Sequence, residues 1–352
     1  MEKRTINVLI VDDSAVARDL LAFIVQSDPQ LNVMGFAENG EEALNYLKDH
    51  TPDVIIMDIV MPKMNGFELT RRIMETRPLP IIVVSGIYNR EEVDKSFKAI
   101  EAGALAILEK PKGIGTEQYL DTARFVIETI KAMSEVKFVA GKNVVFPGQP
   151  QKTGETTEPE SALDTSPKIE AVAIGASIGG PQALSVILSK LPATFPVPIF
   201  VVQHISGGFI QGLVNWLNES TPLTVRLAID GEKAIPGYVY VAPDKTQMEI
   251  LEKNVIKLTE DKSETQPAPA ISNLFRSMAN IYGAKGVGIL LTGVGKDGAE
   301  DLLAMKQKGA LTIVQNEESC VMFDMPRQAI QLGAAERIEP LNLIPLTLTT
   351  LI

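Results

Sequence analysis

The stretch IIMDIVMPKMNGFE, residues 55–68, decides how the N-terminal part of this chain folds. Val54–Met57 is a short apolar run that reads as a buried strand, and an acid, Asp58, follows it at once. The same arrangement recurs on either side. Asp12 and Asp13 follow the apolar run Val8–Val11, Ser85 ends the run Ile81–Val84, and Lys110-Pro111 ends Leu105–Leu108. Between these runs lie amphipathic stretches with helical spacing, such as Ala15, Leu20, Leu21 and Ile24. Strand–helix alternation of this kind predicts a parallel sheet covered on both faces. In such a sheet every C-terminal strand end lies along one edge, where open α/β sheets bind ligands.

That edge therefore gathers Asp12, Asp13, Asp58, Ser85 and Lys110. Three carboxylates at one point repel each other unless a cation sits among them, and oxygen-only ligands suit Mg²⁺. A carboxylate held by Mg²⁺ and a lysine can act as a nucleophile toward phosphorus and give an acyl phosphate. Acids at strand ends also cap the helices that follow, and one acid alone would carry no more than that.

A second alternating block begins near Ile169. Ala171–Ile174, Ile199–Val202 and Val287–Leu291 read as buried strands, each followed by a helix. Tyr238–Val241 and Met248–Leu258 between them read as an antiparallel insertion. A helix opening at Thr116 closes the first block, with Leu120, Ala123, Val126, Ile127 and Ile130 on one face. Gln149–Pro167 is rich in Pro, Thr, Glu and Ser and reads as a linker. The expected organisation is a first domain over residues 1–125, a linker over 126–168 and a second domain over 169–352.

The second block carries its own constellation. Gly175-Ala176-Ser177-Ile178-Gly179 fits the GxSxG pattern of a nucleophile elbow, in which flanking glycines allow a tight turn and the serine hydroxyl projects. The following helix offers free N–H groups for an oxyanion. Taken alone, the motif also describes an ordinary glycine-rich turn. The chain has two histidines, and His50, in KDHTPD, reads as a solvated helix end. His204, at the end of Ile199–Val202, is the candidate general base. Asp297, in LLTGVGKDGAEDL, is the candidate orienting acid, with Asp301 as its rival one helical turn on. The order serine, histidine, acid departs from the serine, acid, histidine order of α/β-hydrolases. Dinucleotide binding at Gly175–Gly180 would require GxGxxG and an acid at the end of the next strand, where His204 stands instead.

These words together resemble known families. VLIVDDS, IIMDIVMPKMNGFE, VVSG and LEKP are similar to the signature blocks of response-regulator receivers, over about the first 112 residues. AIGASIGGP, VVQH, LLTGVGKDGAEDL and SCVMFDMPRQA resemble the catalytic domain of the chemotaxis-type protein-glutamate methylesterases, the CheB family. The resemblance implies a flavodoxin-like receiver with a five-stranded parallel sheet, joined to a doubly wound α/β methylesterase domain with a β-hairpin insertion. It implies phosphorylation at Asp58 with Mg²⁺ held by Asp12, Asp13 and Asp58, and Ser85 and Lys110 contacting the phosphoryl group. Ser177 becomes the nucleophile, His204 the base and Asp297 its orienter, with no cofactor at the hydrolase site. Implied partners are a sensor histidine kinase as phosphodonor and methyl-accepting chemoreceptors as substrate, with glutamine deamidation as a second reaction. A receiver-controlled adaptor that docks on receptors without turnover is the alternative.

The sequence also departs from the family pattern. Ile107 stands where receivers usually carry an aromatic. Ile178 follows the nucleophile, Ile205-Ser206-Gly207-Gly208 follows the histidine, and Val294 lies between the glycines before the acid. Pro267-Ala268-Pro269-Ala270 replaces an arginine–proline–serine motif, and Asp324 replaces a glycine.

Bulk properties narrow the setting. Lys and Arg number 33 against 44 Asp and Glu, a formal net charge of −11, which disfavours a phosphate backbone as partner. A lone cysteine, Cys320, excludes an internal disulfide and reads as a buried cytosolic thiol. The N-terminal MEKRTINVLIVDDS lacks the form of a signal peptide, and no apolar run has membrane-spanning length, so a cytoplasmic protein is expected.

Overall fold

A computed structural model of the chain describes residues 4–86, 90–113, 115–116, 119–136, 168–252, 254–261 and 269–351. The Pro/Thr/Glu/Ser-rich stretch 149–167, together with Pro267 and Ala268, lies outside them. The described residues form two compact units. One comprises Met1–Ala140 with Ser177–Gln182 and His204–Trp216, and the other the remainder.

The first sequence block builds β1 (Ile6–Val11), α1 (Ala15–Gln26), β2 (Leu31–Ala37), α2 (Gly40–Asp49), β3 (Val54–Met57), α3 (Gly66–Thr76), β4 (Ile81–Ser85), α4 (Arg90–Glu101), β5 (Ala106–Glu109) and α5 (Tyr119–Ser134). Its five strands are parallel in the order β2-β1-β3-β4-β5. All four residues of β3 and all five of β4 are buried, as expected of strands covered on both faces. Three helices, α1, α2 and α3, start where a side chain satisfies one or two of their first free N–H groups. Ser14 Oγ accepts from Ala17 N, Asn39 Oδ1 from Glu41 and Glu42 N, and Asn65 Oδ1 from Glu68 N.

α5 runs on past residue 125 to Ser134, with Ala123, Val126, Ile130 and Met133 buried on one face, while Leu120 at its start is exposed.

The second block builds β6 (Ala171–Ala176), α6 (Gly180–Leu188), β7 (Ile199–Gln203), α7 (Ile210–Ser220), β8 (Thr224–Leu227), β9 (Tyr238–Val241), β10 (Thr246–Glu252), β11 (Val255–Glu260), α8 (Ile271–Tyr282), β12 (Gly286–Leu290), α9 (Ala299–Gln307), β13 (Leu311–Gln315), α10 (Asp324–Gln331), β14 (Arg337–Glu339) and α11 (Ile344–Leu351). Seven strands make a parallel sheet in the order β14-β13-β12-β6-β7-β9-β8. Among the described strands, β10 and β11 pair antiparallel, apart from this sheet. The antiparallel reading therefore holds for Met248–Leu258 and fails for Tyr238–Val241. β9 lies inside the parallel sheet between β7 and β8, which its apolar alternation could not reveal, because strand direction leaves no trace in a four-residue pattern. The hairpin is anchored on α8: Met248, Ile250 and Ile256 are buried, and Ile250 N donates to Ser277 Oγ at 3.0 Å.

Candidate functional sites

In each sheet a topological switch point lies beside the first strand of the block. In the first sheet it falls between β1 and β3, whose C-terminal ends deliver Asp12, Asp13 and Asp58. In the second it falls between β6 and β12. Such switch points open a crevice beyond the strand ends, where doubly wound sheets bind ligands.

The structure brings the acids of the first site together. One carboxylate oxygen each from Asp12, Asp13 and Asp58 lies within 4.8 Å of the others. Lys110 Nζ, just past β5, stands 2.8 Å from both Asp12 Oδ2 and Asp58 Oδ2. Asp58 Oδ1 accepts from Ile59 N at 2.7 Å. Burial pushes the Asp58 carboxyl above its ordinary value. Lys110 opposes this shift, and the Asp12 charge adds to it. Burial would lower the Lys110 ammonium, but its bonds to Asp12 and Asp58 outweigh that and raise it. Ser85, fully buried at the end of β4, donates its hydroxyl to Gly86 O, and its own carbonyl accepts from Lys110 N. It borders the pocket without bonding to Asp58. Ile107 is a buried residue of β5.

Three oxygen donors this close suit a small hard cation, whose octahedral ligands stand roughly 3–4 Å apart when each is bonded at about 2.1 Å. The donor set thus fits Mg²⁺. Arg18, which the sequence reading did not single out, holds the loop that carries Asp12 and Asp13 in place. Its Nη1 donates to the backbone carbonyls of Asp12 and Asp13 at 2.7 and 3.2 Å, and its Nη2 pairs with Glu38 at 2.8 Å. The available signal was its place one helical turn past the cap Ser14.

At the second site, Ala176 and Gln203 are register partners on β6 and β7, so Ser177 and His204 are the next residues along two adjacent strands. Ser177 is buried, and α6 begins three residues after it. Asp297 lies between β12 and α9. Its expected alternative role was a cap for its own following helix. It caps a different one: Oδ2 accepts from Ile271 N at 2.7 Å, and Oδ1 from Ser272 N at 3.1 Å and Ser272 Oγ at 2.6 Å, all at the start of α8. The rival Asp301 is engaged by Arg276, with Nε–Oδ1 2.9 Å and Nη2–Oδ2 3.3 Å.

The loop before Asp297 is pinned by buried polar groups that the sequence reading also missed. Gln315 Oε1 accepts from Thr292 N at 2.9 Å. The Thr292 hydroxyl donates to Met322 O and accepts from Met322 N. Among the departures, Ile178 is buried, and Asp324 opens α10, where a negative charge suits the helix dipole. Burial pushes the Cys320 thiol far up, in keeping with an inert cysteine. His50 is exposed, caps α2 and stacks on Tyr46.

Fold and sites together define a receiver joined to an α/β serine-hydrolase-like domain. Residues 8–119 match the response regulator receiver domain, and residues 172–348 match the CheB methylesterase family. The chain is 48% identical over 347 residues to a protein-glutamate methylesterase/protein-glutamine glutaminase of Nitrosospira multiformis, covering 99% of this chain and 97% of the relative. A protein of the same description from Syntrophus aciditrophicus is 47% identical, over 95% of each chain. The crystal structure of the Thermotoga maritima CheB methylesterase catalytic domain covers 53% of this chain and 100% of its own, at 37% identity and a TM-score of 0.50. The chain belongs to the CheB methylesterase family, in its receiver-bearing form.

Proposed function

We propose that this protein is a phosphorylation-activated protein-glutamate methylesterase, with glutamine deamidation at the same site. Its substrates would be methylated glutamates of chemoreceptors. The observation that supports the hydrolase reading is the register pair Ala176–Gln203, the residues that directly precede the GxSxG serine and the histidine.

In the proposed reaction His204 takes the Ser177 hydroxyl proton as Oγ attacks the ester carbonyl. N–H groups near the start of α6 stabilise the oxyanion. Collapse expels methanol, which takes the proton back from the imidazolium, and leaves an acyl-enzyme. Water, deprotonated by His204, then releases the glutamate. A glutamine side chain follows the same course with ammonia leaving. Asp297 orients the imidazole.

At the receiver, Asp12, Asp13 and Asp58 would hold Mg²⁺, which when bound neutralises charge on the incoming phosphoryl group. Asp58 is the acceptor, Lys110 pairs with the phosphoryl oxygens, and Ser85 closes the pocket beside them. A sensor histidine kinase is the expected phosphodonor, which places the protein in the cytoplasm.

Control by the receiver is supported by the make-up of the first unit, in which Ser177–Gln182 and His204–Trp216 group with the receiver residues. There Gln182 Nε2 donates to Ala104 O at 2.7 Å, and Phe97 of α4 stacks on Trp216 at 5.8 Å. Phosphorylation then acts by shifting the population in which these segments are engaged.

The test is methanol release from methylated receptor membranes, by wild type and Ser177→Ala, with and without acetyl phosphate and Mg²⁺. Release that requires Ser177 and rises on phosphorylation is expected. No release alongside an active control enzyme would leave an adaptor without turnover.

A further inference from the structure

The start of α8 contains two residues that tie the acid of the second site to the nucleophile strand. Ile271 is fully buried. A β-carbon at Gly175, two residues before Ser177, would lie 2.3 Å from Ile271 Cγ2, and one at Gly298, just after Asp297, would lie 2.4 Å from the same atom. Both positions must be glycine for Ile271 to fit, and Gly298 also has a positive φ of 82°. One side chain thus fills the space over both site-bearing segments.

Ser272 supplies the polar half of this link. Its Oγ accepts from Gly298 N at 3.0 Å and donates to Asp297 Oδ1 at 2.6 Å. The direction of the second bond is fixed by inventory: an ionised carboxylate only accepts, and the Gly298 amide only donates. Asp297 Oδ2 is held in turn by Ile271 N. The helix cannot cap itself, because its N-cap is Ala270, which makes no side-chain cap bond. A simple cap would need one oxygen on one amide. Here three donors converge on a carboxylate 25 residues away, and one of them is a hydroxyl bonded on to the next amide of the carboxylate's own loop.

We propose that Ser272 is a positioning residue for the reaction: its hydroxyl sets the orientation of the Asp297 carboxylate, and through it the imidazole of His204. This rests on Asp297 being the orienting acid of the proposed hydrolase. Ser272 acts through Asp297 alone.

The experiment uses the full chain, activated with acetyl phosphate and Mg²⁺, and follows methanol release from methylated receptor membranes across a pH series. The variants are Ser272→Ala, Ser272→Thr, Asp297→Ala and the double Ser272→Ala/Asp297→Ala. Ser272→Ala is expected to lower kcat by about 10- to 100-fold, the scale of a small misplacement of a catalytic group. KM should be unchanged, and the acid limb of the pH profile should move. Ser272→Thr, which keeps the hydroxyl, should restore most of the rate. Adding Ser272→Ala to Asp297→Ala should cost nothing further, because the two act as one unit.

A full rate in Ser272→Ala with a large loss in Asp297→Ala would sink the proposal and leave the hydrolase reading standing. An undiminished rate in Asp297→Ala would remove the orienting acid itself, and the role of Ser272 with it. Additive losses in the double variant would mean that Ser272 supports the fold and not the carboxylate. Should Ser272→Ala fail to melt cooperatively, Ser272→Cys carries the same comparison, since it keeps the shape with a weaker donor.

Discussion

At the scale of single residues, the receiver pocket depends on one cation. Lys110 stands between two buried carboxylates and is itself less than a quarter exposed. Removing it leaves Asp12 and Asp58 facing each other uncompensated. For a partly solvated group this costs about 1–3 kcal/mol, less than the loss for a fully buried pair. Lys110→Ala is therefore expected to lower the melting temperature of the metal-free protein by several degrees, with Mg²⁺ restoring most of it because the ion neutralises the same acids. Stimulation of methanol release by acetyl phosphate should be lost. Thermal melts with and without Mg²⁺ check the first outcome, and a melting point independent of Lys110 would show that the acids are compensated in another way. These residues were legible because each follows an apolar run directly. Arg18 and Ser272 were not, since a hydroxyl or guanidinium with a backbone or distant carboxylate partner looks like any polar helix residue. Ser272 meets Asp297 across 25 residues of sequence, a contact that no local pattern encodes.

At the scale of elements, strands with a continuous apolar run could be read, the edge strand β5 among them, and those without one could not. β3 matches its apolar run residue for residue, because a strand covered on both faces has no polar positions to blur it. β2, β8 and β14 are edge strands with partly exposed residues, and they offer no such run. β13 escaped for a different reason: Thr312 and Gln315 are buried polar residues within it, spent on bonds to Ala334 O and to the Thr292 loop. The contact between α8 and β6 also gives an element-level test. Gly175→Ala forces its new methyl against a β-branched side chain that cannot swing away. A loss of about 1–3 kcal/mol is expected from overpacking, together with reduced hydrolysis. Ile271→Val removes Cδ1 but keeps Cγ2, whereas Ile271→Ala removes the clash itself. Adding Ile271→Ala to Gly175→Ala should therefore cost less than the two single changes summed, read by urea unfolding. Strict additivity would mean that the two residues do not press on each other.

At the scale of the whole molecule, the order of receiver before hydrolase was plain from motif words, while the end of the first block was not, because α5 runs past the point where its family signature stops. The sequence could place Ser177 and His204 on a sheet edge, but it could not say that Ser177–Gln182 and His204–Trp216 group with the receiver residues, since such grouping leaves no local pattern. Phe97 stacks on Trp216 within that group, and Trp216 is the chain's single tryptophan. Every photon of indole emission from this protein therefore originates at one ring, stacked on Phe97 of α4. If the proposed control by phosphorylation moves this stack, the ring becomes an optical gauge of it. Acetyl phosphate with Mg²⁺ is expected to change the intensity and red-shift the emission as the ring leaves Phe97 for water, and Asp58→Asn should abolish the change. A spectrum indifferent to phosphorylation in a protein whose hydrolysis still responds would mean that activation leaves this stack in place. With the change present, the rise of activity could be followed label-free in a stopped-flow cuvette, millisecond by millisecond, before any methanol has accumulated.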